Sequence, residues 1–250
     1  MNLGLEGRVA LVCGASRGLG RAVARELALE GARVAICARD AAALEETAAG
    51  IGPETVAIAA DLARRGEPAR VVDACLDRFG RLDILVANTG GPPAGTFDSL
   101  GAEDWDAAVA LLHGSAGELI RSALPAMKAR RWGRILCVTS ITAREPVPNL
   151  MLSNALRPAV AGLANALARE VGRDGITVNT ILPGFTRTDR MVELYEHDPD
   201  AEAALQAEVP LGRLAEPEEL AALAVFLCSE RAGYLTGSSF AVDGGWLRGV

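Results

Sequence analysis

The sequence predicts an α/β fold, a doubly wound parallel sheet with helices on both faces. Three observations carry this expectation. Short, continuously apolar runs recur along the chain, as strands buried on both faces require. Segments of helical periodicity separate them one by one, the pattern of right-handed crossover units. A glycine-rich turn stands where the first apolar run meets the first helical segment. The 250 residues, 50% hydrophobic and 23% charged, suit one packed domain. No repeat, low-complexity stretch or linker interrupts the alternation.

Taken in order, Val9–Cys13 is the first strand, and helical periodicity follows over Leu19–Glu30. Val34–Cys37 is the second strand, followed by a helix through Leu44. Val56–Ala59 and a helix from about Glu67 to Phe79 come next, then a fourth strand, Ile84–Ala87. A long helix over roughly Ala102–Arg130 leads to the fifth strand, Arg134–Val138. A helix over about Leu152–Val171 leads to the sixth, Ile176–Ile181, and a helix over Pro217–Ser229 precedes a last short strand, Ser239–Val242. Between Phe185 and Pro210 the apolar stripe is weak and Glu193, Glu196, His197, Asp198 and Asp200 accumulate, so a helical lid is expected there. Residues 1–250 are thus read as one domain with a substrate lid at about 185–210.

Charge and composition exclude several classes. A net charge of −7 gives no electrostatic basis for binding nucleic acid or an anionic membrane. No apolar run is long enough to span a bilayer, and Met1–Arg8 lacks the basic and apolar regions of a secretory signal, so a cytoplasmic protein is expected. Cys13, Cys37, Cys75, Cys137 and Cys228 form no CxxC pair and read as reduced, buried thiols. With only His113 and His197 to assist them, no metal site is expected.

The turn Gly14-Ala15-Ser16-Arg17-Gly18-Leu19-Gly20 joins strand to helix at the start of the alternation. Glycines there let the backbone turn sharply and approach a pyrophosphate, and the helix N-terminus offers free N–H groups. This predicts a Rossmann-type dinucleotide site. Ala38 ends the second strand where an acid would bind the ribose hydroxyls of NAD, and Arg39 follows it. With Arg17 nearby, two guanidinium groups suit a 2′-phosphate, so NADP(H) is expected over NAD(H); the alternative is a pair of solvated surface arginines.

On these residues the chain resembles the short-chain dehydrogenase/reductase family, of the 3-oxoacyl-ACP-reductase-like kind. Gly14, Gly18 and Gly20 match its glycine motif, with Cys13 where the family has Thr. Ala87-Asn88-Thr89-Gly90, Asn179 with Pro183-Gly184, and Val242-Asp243-Gly244-Gly245 match its later motifs. The resemblance implies a seven-stranded sheet of order 3-2-1-4-5-6-7 and a homotetramer or homodimer. It also implies cofactor contacts at Asp61, Leu62, Asn88, Gly90, Pro183, Gly184 and Thr188 besides the glycine turn and Arg39. Apolar residues around the two long helices, among them Val109, Leu111, Leu112, Val160, Leu163 and Leu167, point to association on their own.

The resemblance also implies a catalytic Ser, Tyr, Lys and Asn. Ser140 matches the serine. The Tyr position, thirteen residues on, holds Ser153; the Lys position holds Arg157; the Asn position holds Leu112. A phenol of pKa ~10 can be tuned toward neutrality by a cation, whereas a serine hydroxyl is far less acidic. Arg157 stays charged, and as a fixed cation it can still bind the nicotinamide ribose. Ser153 and Arg157 lie four apart and share a helical face. Tyr195 and His197 on the lid, and His113, are further candidate proton donors, while Tyr234 reads as part of a packing run. Pro92, Pro93, Arg144, Glu145 and Pro146 are expected to line the small-molecule substrate pocket. Two functions follow: hydride transfer between NADP(H) and a carbonyl or alcohol with Ser140, Ser153 and Arg157 polarising the substrate, or a non-catalytic NADP(H)-binding role as sensor or partner subunit.

Overall fold

The computed structural model of the protein describes residues 1–189, 191–192 and 199–249. Seven parallel strands form one sheet in the order β3-β2-β1-β4-β5-β6-β7. They are β1 Val9–Cys13, β2 Arg33–Ala38, β3 Val56–Ala59, β4 Ile84–Ala87, β5 Gly133–Val138, β6 Ile176–Pro183 and β7 Ser239–Val242. The helices are α1 Gly18–Leu29, α2 Ala41–Ile51, α3 Glu67–Phe79, α4 Ala102–Ala108, α5 Ser115–Arg130, α6 Met151–Val171, α7 Pro199–Glu208 and α8 Pro217–Leu227. The order reverses between β1 and β4, which opens a crevice at the carboxyl ends of those strands.

The central strands are mostly apolar because both of their faces are covered. Leu11, Ala35, Leu85, Ile135 and Val178 pack toward Val71, Cys75, Leu119, Ala123 and Ala164 on α3, α5 and α6. The alternate residues Val12, Ile36, Val86, Leu136 and Ile181 pack toward α1, α2 and α8 through Val23, Leu27, Leu44, Leu220 and Ala224. All five cysteines are free and buried, as expected. Burial pushes the thiols of Cys137 and Cys228 up to about 12. A hydrogen bond with the Cys37 thiol, together with burial, holds Cys13 well above the ordinary thiol range.

At the amino ends of the strands, side chains lock the sheet. Asp83 is fully buried and accepts from the Val9 N–H at 2.8 Å and from Arg81 through two bonds of 2.7 Å. Trp132 lies between two guanidinium groups, Arg8 at 3.9 Å and Arg134 at 4.3 Å from its ring centre.

Four local outcomes differ from the sequence reading, one being that α2 runs on to Ile51 rather than ending at Leu44. The long helix over Ala102–Arg130 is not α-helical throughout: Val109–Gly114 winds as a π-helix between α4 and α5. Tyr234 does not pack, since its side chain is fully exposed. Its neighbours do the packing, with the Leu235 carbonyl accepting from Asn179 and the Thr236 hydroxyl accepting from the Val178 N–H. Strand β6 runs two residues further than the periodicity suggested, to Pro183.

Candidate active site

The carboxyl ends of β1, β2 and β4 bring together a cradle made largely of backbone. Gly14 and Gly18 have φ of +60° and +56°, conformations that side-chain-bearing residues rarely adopt. A Cβ on Gly20 would stand 2.2 Å from the Gly14 carbonyl oxygen, so only glycine lets α1 begin this close to β1. Asn88, after β4, donates its side-chain amide to the Gly14 carbonyl at 3.3 Å. Thr47 of α2 donates to the Ser16 carbonyl at 2.8 Å. Both bonds fix the turn from the side away from solvent.

Helix α1 offers its N-terminus to a ligand. Its N-cap, Arg17, makes no capping bond, and no acid lies in the first turn. Helix α2 differs, since Asp40 caps it by accepting from the Ala43 N–H at 3.1 Å. An uncapped helix start behind a glycine turn fits an anionic phosphate group. Arg17 and Arg39 are both exposed at this edge, and no acid occupies position 38. Asp61, half-buried after β3, accepts from the Ala63 N–H at 3.2 Å, with Leu62 buried beside it. Around Gly90 a side chain would meet only open space. Thr188 lies against the turn, its Cγ2 3.4 Å from where a Gly18 Cβ would be. Gly184, after β6, would drive a Cβ to 2.7 Å from Asp243, so the C-terminal glycine motif supports this end of β6.

The second half of the edge is built from side chains after β5 and on α6. Ser140 caps a short 3-10 turn over Ile141–Ala143, accepting from the Thr142 N–H at 3.1 Å. Ser153 and Arg157 are both 8% exposed, on one face of α6. The Ser153 hydroxyl meets Thr142 Oγ1 at 3.1 Å. Arg157 donates to the Val138 carbonyl at 3.0 Å, so its guanidinium reaches under the end of β5. Beside it lies a cavity of about 10 Å³, close to the volume of one water, bounded among others by Leu112, Ser115, Thr89 and Arg157. Leu112 sits in the π-helical segment, where its side chain is buried. Ser115 donates to the Leu111 carbonyl within the same distorted turn.

The flanking residues are occupied in ways the sequence did not indicate. Arg144 donates to the Ser239 carbonyl at 2.9 Å. Glu145 accepts from the backbone N–H groups of Arg248 and Gly249 at 2.8 and 2.9 Å and holds the C-terminal segment. Asn154 closes the loop after Ser140 by bonding the N–H and carbonyl of Val147. Pro92 is buried, and Pro93 and Pro146 are exposed. Thr142 was missed because it lies in a three-residue turn with no motif of its own. Tyr195 and His197 fall outside the described residues, and His113 is exposed. Among the described residues no group of His, Cys, Asp or Glu could hold a metal ion, and no helix is long and apolar enough to cross a membrane.

Known proteins resemble this chain over nearly its whole length. Residues 14–247 fit the family model described as Enoyl-(Acyl carrier protein) reductase. The chain is 35% identical to 3-oxoacyl-acyl-carrier-protein reductase FabG of Vibrio cholerae, over 97% of this chain and 98% of that protein. It is 32% identical to dehydrogenase/reductase SDR family member 4 of Bos taurus, over 97% of this chain and 88% of that protein. It belongs to the short-chain dehydrogenase/reductase family. Among solved structures, L-sorbose reductase from Gluconobacter frateurii, complexed with NADPH and L-sorbose, superposes with a TM-score of 0.96 at 35% identity, covering 100% of both chains. The family is one of nicotinamide-dependent oxidoreductases.

Proposed function

We propose that the protein is an NADP(H)-dependent reductase of a small carbonyl compound, or the matching alcohol dehydrogenase, with Ser140, Ser153 and Arg157 as its catalytic residues. The observation that carries this reading is the uncapped start of α1 behind a turn that only glycines can form, on the same edge as the Ser140 hydroxyl. When bound, NADP(H) supplies or accepts the hydride. The glycine turn from Gly14 to Gly20 and Asn88 hold the phosphates and frame the turn. Asp61 and Leu62 face the adenine, and Gly90, Pro183, Gly184 and Thr188 border the nicotinamide half. Arg17 and Arg39 select the 2′-phosphate over a bare ribose.

In the reducing direction the carbonyl oxygen would gain negative charge as its carbon is reduced. Ser140 and Ser153 hydrogen-bond that oxygen, Arg157 supplies a fixed positive charge beside it, and the oxygen takes its proton from water rather than from a phenol. Positioned neutral donors and a fixed cation stabilise developing negative charge without being consumed. The substrate class is wide: a relative's name specifies a 3-oxoacyl group on a carrier protein, and a structural neighbour's specifies L-sorbose. We further propose that the lid read at 185–210, of which residues 190 and 193–198 lie outside the described residues, covers the substrate, and that the protein works in the cytoplasm as a homodimer or homotetramer. An open groove of about 470 Å³ between α5 and α6, with Ile120, Leu124, Leu163 and Leu167 along it, supports the association.

Calorimetric titration with NADPH and NADH tests the cofactor. NADPH should bind at least about tenfold more tightly, and R39A should erase most of that margin. Equal affinities in both proteins would overturn the cofactor assignment. NADPH oxidation with acetoacetyl-CoA, ethyl acetoacetate and L-sorbose tests the reaction, and rates no higher than without carbonyl compound would overturn the reductase assignment.

A further inference from the structure

Ser140 and Ser153 do not bond each other; both bond Thr142, a residue 3% exposed in the turn between them. Its N–H donates to Ser140 Oγ at 3.1 Å. A hydroxyl has one proton to give and two lone pairs to receive, so this bond uses a lone pair and leaves the Ser140 proton available. Its own hydroxyl is 3.1 Å from Ser153 Oγ. If Thr142 donates there, the Ser153 proton is available too.

Resting on the reductase reading above, we propose that Thr142 is the positioning residue of this site: it receives no substrate itself but turns both serine hydroxyls into donors aimed at one substrate oxygen. The consequence follows from the chemistry already described. A tyrosine that donates a proton needs only one well-placed hydroxyl. A pair of serines that stay protonated must both point their O–H groups at the oxygen, and each needs its acceptor side occupied. One buried threonine does this for Ser140 through its main-chain N–H, and for Ser153 through its side chain in the arrangement where Thr142 Oγ1 is the donor. The two bonds are separable, because a valine at 142 keeps the N–H and loses only the hydroxyl.

The test is kinetic and structural. With acetoacetyl-CoA and NADPH, T142V should lower kcat about tenfold, the size of one hydrogen bond, while KM for NADPH stays unchanged. T142S should recover to within about threefold. In an S153A background, T142V should have no further effect, since its action runs through that hydroxyl. Equal loss in T142V and T142S, or an undiminished T142V effect in the S153A background, would overturn the proposal. Crystal structures decide it independently of turnover. Ser153 Oγ should leave its position in T142V and keep it in T142S, while Ser140 keeps its bond from the residue 142 N–H in both. An unchanged Ser153 rotamer in all three proteins would overturn the proposal even if no carbonyl compound is reduced, and the latter result alone would count against the reductase reading.

Discussion

Between β1 and α1 the surface offered to a ligand is backbone; along α6 it is side chain. The glycine turn cannot be altered without moving a helix, because a Cβ at position 20 meets the Gly14 carbonyl at 2.2 Å. The α6 face is different. Ser153 and Arg157 are as buried as a packed helix face requires, and their bonds, to Thr142 and to the Val138 carbonyl, anchor them without shaping the backbone. A function held by backbone geometry constrains the sequence to the few residues that permit that geometry. A function held by side chains on a regular helix leaves the helix intact when those side chains change. The comparison explains how side chains on α6 can change while the glycine turn cannot.

The strongest way to break the comparison is to place a side chain in the backbone half. G20V is expected to abolish NADPH binding and to destabilise the fold by about 3 kcal/mol, since overpacking here presses on main chain that cannot rotate away. Calorimetry and urea unfolding measure the two effects. A G20V protein with native stability and NADPH affinity would show that the turn has slack that its geometry denies.

A smaller effect is expected on the other side. R157A should fold and bind NADPH within a few-fold of the native protein, but lose about 10²-fold in kcat, the scale of removing one fixed charge or donor from a reaction site. R157K should keep most of the rate, because a cation on the same helical face remains. A loss of NADPH affinity as large as the loss in kcat would move Arg157 from the reaction half to the cofactor half.

How much of this was legible follows the same division. The strand positions and the cradle glycines could be read from sequence, since apolar runs, glycine spacing and strand ends are local features, while the strand order came only with the family resemblance. The π-helical turn at Val109–Gly114 could not, because six residues are too few to separate its period from that of an α-helix. Thr142 could not either, since its importance lies in bonding Ser153, eleven positions away. The exposed ring of Tyr234 within an otherwise packed run shows the same limit: hydrophobic context marks the segment, but the direction of one side chain depends on the strand it flanks. The bonds of Glu145 to the C-terminal segment span 103 and 104 positions and left no trace in either local sequence.

The smallest and most discriminating effect is a gain. If side chains on α6 are exchangeable while the backbone half is not, placing a tyrosine and a lysine on this face by S153Y with R157K should raise ketone reduction by several-fold, toward the contribution of a positioned acid. The thirteen-residue offset from Ser140 and the shared face are preserved, so the new phenol is carried to the side of the turn where Ser153 now meets Thr142. S153Y alone should help less. Arg157 already occupies the space under β5 and bonds the Val138 carbonyl, and its planar fork leaves less room for a ring than lysine does. Thermal stability and NADPH affinity of the double variant serve as controls, because a clash with the turn at Ile141–Ala143 would show there first. A double variant that folds, binds NADPH normally and gains nothing on ethyl acetoacetate or L-sorbose would mean that the reaction half has been rebuilt around Ser153, and that its side chains are no more exchangeable than the glycines.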